Sequence, residues 1–231
     1  MSGTAVLLSG GLDSAVLLAD EATRGEVQPI YVSVGLAWEV GERAMVARFL
    51  AHPRLDGRVR PLVSLSVDMR DVYSATHWAV RGQPPAYHTA DEDVYLPGRN
   101  IVLLGKAGVY CAAANLDRLV LGTLEHNPFP DATSEFRGAM ARALTLGLAH
   151  DLRIDAPYSG SSKAQVVARG IELGVPFELT LSCMNPQSEI HNPKSAIHCG
   201  LCSKCRERHD AFIELGVADP TEYEDQRYVR A

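Results

Sequence analysis

Short apolar runs alternate along the chain with stretches where apolar residues recur every three to four positions. The runs at 4–8, 29–33, 60–65, 118–121 and 152–156 are bounded by glycine, proline or charge and predict strands. The segments between them, at 13–24, 39–52, 100–115, 134–150 and 163–173, carry a helical period. Strand alternating with helix is the pattern of a parallel sheet with crossover helices. The expected class is therefore α/β, with a doubly wound and mainly parallel sheet. No apolar stretch reaches the length needed to cross a bilayer, so no membrane association is expected.

Two regions break this rhythm. Residues 67–98 hold Pro84, Pro85 and Pro97, with Tyr73, His77, Trp78, Tyr87 and His88 between them. An irregular stretch of that length inside a compact domain is functional or mobile. Its aromatic side chains suit either stacking on a ring-shaped substrate or packing the segment against the body. From Cys183 onward the composition shifts toward cysteine, histidine, proline and charge. The expected division is an α/β domain over 1–182 and a small module over 183–231.

The totals narrow the class further. A chain of 231 residues with 46% apolar side chains buries a sizeable core as one medium domain, or as one with an appendage. Its net charge of −6 speaks against broad nucleic-acid binding, which needs a basic surplus, and leaves small molecules as the expected partners. The opening apolar run gives way within a few residues to Ser-Gly-Gly, unlike a secretory leader, so a cytoplasmic location is expected. In that reducing compartment the five cysteines are not read as disulfides, above all because three of them fall within seven residues.

The sharpest local signal is Leu8-Ser9-Gly10-Gly11-Leu12-Asp13-Ser14, where the first strand would enter the first helix. Glycines adopt positive φ, so successive N–H groups converge on an anion. The helix N-terminus adds its positive end, and the Ser9 and Ser14 hydroxyls are donors to phosphate oxygens. Asp13 would repel phosphate, so it reads either as a ligand for Mg²⁺ or as a helix-start cap. A bare glycine turn would merely begin a helix; the whole string after a strand favours a phosphate cradle. Its spacing matches neither G-x-x-x-x-G-K-[ST] nor G-x-G-x-x-G.

The second signal is Cys199-x₂-Cys202-x₂-Cys205, with Cys183 sixteen positions before Cys199. Four thiolates close a tetrahedral Zn²⁺ site with no water left on the metal. The iron–sulfur run C-x₂-C-x₂-C-x₃-C-P is near in spacing, but His209 stands where its last cysteine would be. His191 or His198 remains an alternative to Cys183 as fourth ligand. The cluster leads into a terminal helix expected over 207–215. Cys111, inside "GVYCAAA", reads as a buried small hydrophobe.

The string S-G-G-x-D-S resembles the PP-loop of the ATP pyrophosphatases, enzymes that split ATP into AMP and pyrophosphate. That resemblance implies cradling of the leaving pyrophosphate, which explains the missing P-loop lysine. Four stretches in order, S-G-G-x-D-S, "YLPGRN" at 95–100, "SKAQVVARGIELGVPFELTLSC" at 162–183 and "CGLCSKCRERHDAFIELGVADPTEY" at 199–223, resemble the 7-cyano-7-deazaguanine synthase family of the queuosine pathway. The resemblance covers most of the chain. It implies conversion of 7-carboxy-7-deazaguanine and ammonia into the nitrile with ATP, Mg²⁺ and a four-cysteine Zn²⁺ site, and it suggests a homodimer. Residue by residue, it implies ATP phosphates on Leu8 through Ser14, with Arg99 and Asn100 near nucleotide or substrate. It also implies Lys163 reaching a phosphate, with Asp13, Arg99 and Lys163 as the catalytic set and Cys183, Cys199, Cys202 and Cys205 as metal ligands. Without it, Arg99 reads as a surface arginine and Lys163 as a solvated helix start.

Two segments depart from that family's pattern. Val34-Gly35-Leu36 stands where a Tyr-Gly-Gln is usual. "TLEHNPFPDATSEF" keeps Pro130-Asp131 and Glu135-Phe136 but places Ala132-Thr133 where cysteine and arginine are usual. An arginine there would be a bidentate clamp for a carboxylate. Glu125 and His126 read equally as substitute contacts or as ordinary loop groups. The departures motivate an alternative, a related adenylating ligase that joins a deazaguanine acid or related carboxylate to another amine. A zinc-clamped tRNA-binding or partner-binding module is disfavoured by the acidity. Sulfur transfer needs an exposed reactive cysteine that this chain does not offer.

Overall fold

The computed structural model describes residues 3–55, 57–185 and 197–229. Among the described residues, β1 (Thr4–Leu7), β2 (Val27–Ser33), β3 (Val63–Ser66), β4 (Arg118–Val120) and β5 (Arg153–Asp155) form one parallel sheet in the order β3-β2-β1-β4-β5. Central β1 pairs Thr4 with Val27 on one side and with Arg118 on the other. The helices are α1 (Leu12–Arg24), α2 (Glu39–Leu50), the short α3 (Trp78–Arg81), α4 (Arg99–Ala113), α5 (Ser134–Leu148), α6 (Lys163–Leu173) and α7 (Ser203–Leu215). A two-residue parallel pair, β6 (Ile197–His198) and β7 (Glu222–Tyr223), follows the cysteine region. The expected α/β class and its parallel sheet are observed. No helix of the described residues is long and apolar enough to cross a membrane.

Successive strand side chains face opposite ways, and both sheet faces are covered. Ala5, Ile30, Val32, Leu119 and Ile154 pack with Leu104, Ala107 and Cys111 of α4. Val6, Tyr31 and Val120 pack on the other face with Val16 and Leu17 of α1, Phe49 of α2, Val166 of α6 and Phe212 of α7. Cys111 is the buried hydrophobe expected, and burial pushes its thiol up to about 12.

Several boundaries differ from expectation for local reasons. β3 starts at Val63 instead of 60, because Pro61 has no N–H for the ladder. β2 begins at Val27, and Pro29 is tolerated because β3 starts pairing only at Ile30. α7 starts at Ser203, earlier than 207, because Cys202 occupies its cap position and Cys205 its first turn. Helix α6 opens on a capping box between Ser162 and Gln165 and stops at Gly174, where φ is +65°.

Strand order reverses between β1 and β4, so the crevice outside the carboxyl ends of these strands is the binding position of such a sheet. The 67–98 segment covers that crevice. Tyr73 Oη donates to the Pro97 carbonyl at 3.0 Å, which closes the segment on itself, and Arg206 of α7 ties it down by donating to the Tyr87 and Thr89 carbonyls.

Candidate active site

The end of β1 is locked to its neighbour by Leu8 N–H donating to the Ile30 carbonyl at 2.9 Å. The chain then turns at Gly10, whose φ is +83°. A Cβ at Gly10 would sit 2.9 Å from Val46 Cγ2 and 3.3 Å from the Glu42 carbonyl, so only glycine fits the turn. Gly11 caps α1 with no side-chain hydrogen bond, which leaves the helix end to backbone N–H groups. Ser9 and Ser14 are tied together, their hydroxyls 3.2 Å apart, and Ser14 Oγ donates to the Gly11 carbonyl at 3.0 Å. The turn and the free start of α1 thus face the same way out of the strand end, with Ser9 and Ser14 beside them.

That turn opens into a cavity of about 330 Å³. Ser9, Gly11, Asp13, Ser14, Arg99, Asn100 and Lys163 all line it, although they come from three distant parts of the sequence. Lys163 Nζ stands 2.9 Å from Asp13 Oδ2 and 3.4 Å from Glu207 Oε2. Burial would pull the Lys163 pKa down, but the charges of Asp13 and Glu207 outweigh it and raise the value, so the ammonium stays charged. Asp13 Oδ1 is buried with no hydrogen-bond partner among the described residues. Asp13 does not act as the α1 cap, one of its two expected readings.

Arg99 and Asn100 open α4 and do different things. Arg99 Nε is buried without a hydrogen-bond partner among the described residues. Asn100 turns onto the preserved Asp131: its N–H donates to Oδ2 at 3.1 Å, and its Nδ2 donates to the Asp131 carbonyl at 3.1 Å. Where the resemblance leads one to expect cysteine and arginine, Ala132 is buried and Thr133 caps α5 by accepting from Phe136 N–H at 3.1 Å. One helical turn on, Arg137 is buried and donates to the Ala132 carbonyl at 2.6 Å. His126 is exposed and lies 3.8 Å from Glu125, as an ordinary loop pair would.

The aromatic residues divide between the cavity wall and packing against the body. Trp78 lines the cavity and stacks on Trp38, ring centres 5.7 Å apart. Tyr95 and Phe129, stacked at 5.0 Å, line it as well. Tyr87 instead packs on Tyr228 at 4.5 Å and holds the segment down.

Sequence reasoning missed three acidic or basic groups in the cavity wall: Glu42, Lys204 and Glu207. Glu42 Oε2 accepts from Tyr31 Oη at 2.9 Å, and burial pushes its carboxyl up to about 7 despite the opposing charge of Arg99. The available signal was acid at core positions: Glu39 and Glu42 continue the buried stripe of Met45, Val46 and Phe49 on α2. Glu39 holds the segment after β2, accepting from Val34 N–H at 2.7 Å and from Ser33 Oγ.

The four cysteines are buried, with their Sγ atoms within 4.8 Å of one another. Cys202 Sγ lies 3.5 Å from Cys205 Sγ, and Cys199 Sγ lies 3.9 Å from it. A tetrahedron of sulfurs about 2.3 Å from a Zn²⁺ has edges of about 3.8 Å, so the donor set fits that ion. Backbone N–H groups of Asn185 and Cys199 point at Cys183 Sγ and that of Leu201 at Cys199 Sγ, each at 3.4 Å. Such second-sphere donors stabilise thiolates. Gly200, at φ +72°, is required because a Cβ would fall 1.9 Å from the Asp225 carbonyl. His198 accepts from Ser182 N–H at 3.0 Å and is not part of the four-residue group. His191 lies outside the described residues.

A parallel sheet with its glycine turn at the switch point, together with a four-cysteine cluster able to hold a metal, defines a PP-loop α/β enzyme. The chain matches the family model described as "Queuosine biosynthesis protein QueC" over residues 4–216, and it belongs to that family. It is 34% identical to a 7-cyano-7-deazaguanine synthase of Methanopyrus kandleri, over 96% of this chain and 99% of that one. It is 33% identical to the synthase of Methanoculleus marisnigri, over 97% and 100%, and 34% identical to that of Anaeromyxobacter dehalogenans, over 94% of each. The chain is thus an ATP-dependent enzyme of the 7-cyano-7-deazaguanine synthase type, in queuosine biosynthesis.

Proposed function

We propose that this enzyme converts 7-carboxy-7-deazaguanine and ammonia to 7-cyano-7-deazaguanine by adenylating the carboxylate. The observation that carries this reading is the Asp13–Lys163 ion pair beside the glycine turn, in one cavity with the buried, unpartnered Nε of Arg99. The turn and the α1 N-terminus receive the phosphates, and Lys163 offsets negative charge on the pyrophosphate as it departs. Arg99 holds the substrate carboxylate, the task left open by Ala132 and Thr133. The stacked aromatics hold the deazapurine ring.

A carboxylate oxygen attacks the α-phosphorus of ATP, and pyrophosphate leaves with the bonding electrons. Ammonia adds to the acyl carbon, AMP leaves, and a proton is lost to give the amide. The amide oxygen attacks the α-phosphorus of a second ATP, pyrophosphate leaves with the bonding electrons, and loss of AMP and two protons leaves the nitrile. No side chain forms a covalent bond; the protein's part is positioning and charge compensation. Asp13, through its unpartnered Oδ1, would hold Mg²⁺, which supplies charge neutralisation for the polyphosphate. Cys183, Cys199, Cys202 and Cys205 would hold Zn²⁺, a closed site that ties α7 to the body.

The test is incubation with the carboxy-deazaguanine, ammonium and Mg-ATP, followed by mass analysis. Nitrile with AMP and pyrophosphate supports the reading; ADP formation overturns it. Thr133 in place of an arginine favours a second reading, ligation of the acid to another amine. AMP release with an amide but no nitrile, when other amines are supplied, would select it.

A further inference from the structure

Lys204 and Glu207 sit three residues apart on the first turns of α7, interleaved with Cys202 and Cys205. Both line the cavity of the glycine turn. Glu207 pairs with Lys204 through Oε1 and with Lys163 through Oε2. Glu207 is thus shared between two ammonium groups, one on each carboxylate oxygen. With Asp13 the constellation holds two ammonium groups and two carboxylates, and its formal charge is zero. A polyphosphate entering such a site needs a cation to leave a carboxylate. Lys163 is gripped by two carboxylates and is 18% exposed, whereas Lys204 has one and is 29% exposed.

We propose that Lys204 is a phosphate-binding residue of the nucleotide site, held on Glu207 until phosphate arrives and delivered by the helix that the cysteine cluster anchors. This rests on reading the cavity as the ATP site. It makes metal occupancy and nucleotide affinity one coupled quantity, because the two turns that present Lys204 also carry two of the four thiols.

The test is calorimetric titration of the full chain with the Mg²⁺ complex of α,β-methylene-ATP, which binds without being cleaved, alongside metal analysis by mass spectrometry. Lys204→Gln should weaken binding about tenfold, the loss of one charge-assisted hydrogen bond, with metal content unchanged. Lys204→Arg should restore binding to within about threefold. Chelation of the metal should weaken the parent chain by a similar factor and Lys204→Gln far less, because the contact is already gone. If the parent chain binds and Lys204→Gln binds equally well with its metal retained, this inference fails and the functional reading stands. If the metal-loaded parent chain does not bind the analogue, both fail.

Discussion

Tyr31 Oη donates to Glu42 Oε2 at 2.9 Å in the wall of the cavity at the glycine turn, and the carboxyl receiving it is buried. Trp38, Glu39, Tyr31 and Arg99 act on it, and among these described residues Arg99 brings the positive charge. Burial wins over that charge, and Glu42 is pushed from 4.5 up to about 7. Because the folded-state value lies above the unfolded one, the native state binds more protons between them. Stability from this group is full below about pH 4.5 and is lost as pH rises through about 7. Glu42→Gln keeps an acceptor for Tyr31 without the buried charge. It should match the parent at the acid end and gain up to roughly 3 kcal/mol above pH 7. In melting curves, the gap between variant and parent should widen from pH 5.5 to pH 8 by several degrees, at about 2–4 °C per kcal/mol. Equal melting differences at both pH values would refute the assignment.

Much of this molecule could be read from its pattern, and the unread parts share a cause. β1, α1 and the turn between them were legible because Gly10 and the surrounding apolar alternation are local signals. The four cysteines were legible by spacing and come together as a set. Lys163 was legible only through family resemblance, since nothing near it in sequence announces Asp13, 150 positions earlier. Lys204 and Glu207 look like solvated charges of a terminal helix, and only the packing of α7 against α6 turns them to the cavity. Trp38 and Trp78 lie forty residues apart, and their stack is tertiary information that no period of two or 3.6 carries.

The Asp13–Lys163–Glu207 bridge predicts an asymmetric pair of variants. Lys163→Met removes one cation from between two carboxylates, so it should cost both stability and chemistry. The stability loss is of order 3 kcal/mol, as for other broken buried pairs. AMP formation should fall by about 10³-fold, the scale for removing a group that compensates developing charge. Asp13→Asn leaves Lys163 paired with Glu207, and should fold better than Lys163→Met while still losing activity. The double variant should be less destabilised than the sum of the singles, by more than about 1 kcal/mol in denaturant titration. Additive losses would show that the two residues do not act as a unit.

The cysteine cluster decides whether α7 stays on the body. Its thiols lie at the distances of a closed tetrahedral site, and four thiolates so close repel one another unless a cation lies between them. Purified protein should therefore carry one Zn²⁺ per chain and be colourless; a brown protein with labile sulfide would replace zinc with an iron–sulfur cluster. Cys202→Ser breaks the set at the cap of α7 and should lower the melting temperature by about 10 °C or more, from a loss of several kcal/mol. Cys111→Ser touches the core and not the cluster, so it should leave metal content at one while costing stability by burying a hydroxyl. Hydrogen exchange would locate the damage. With Cys202→Ser, amides of α7 and of residues 180–183 should exchange fast, because Arg208, buried in α7, holds the Phe177 carbonyl and Thr180 Oγ1. Protection of β1 should persist, since its pairing with β2 and β4 does not pass through the cluster. Uniform loss of protection across the sheet would mean that the metal supports the whole fold and not one helix.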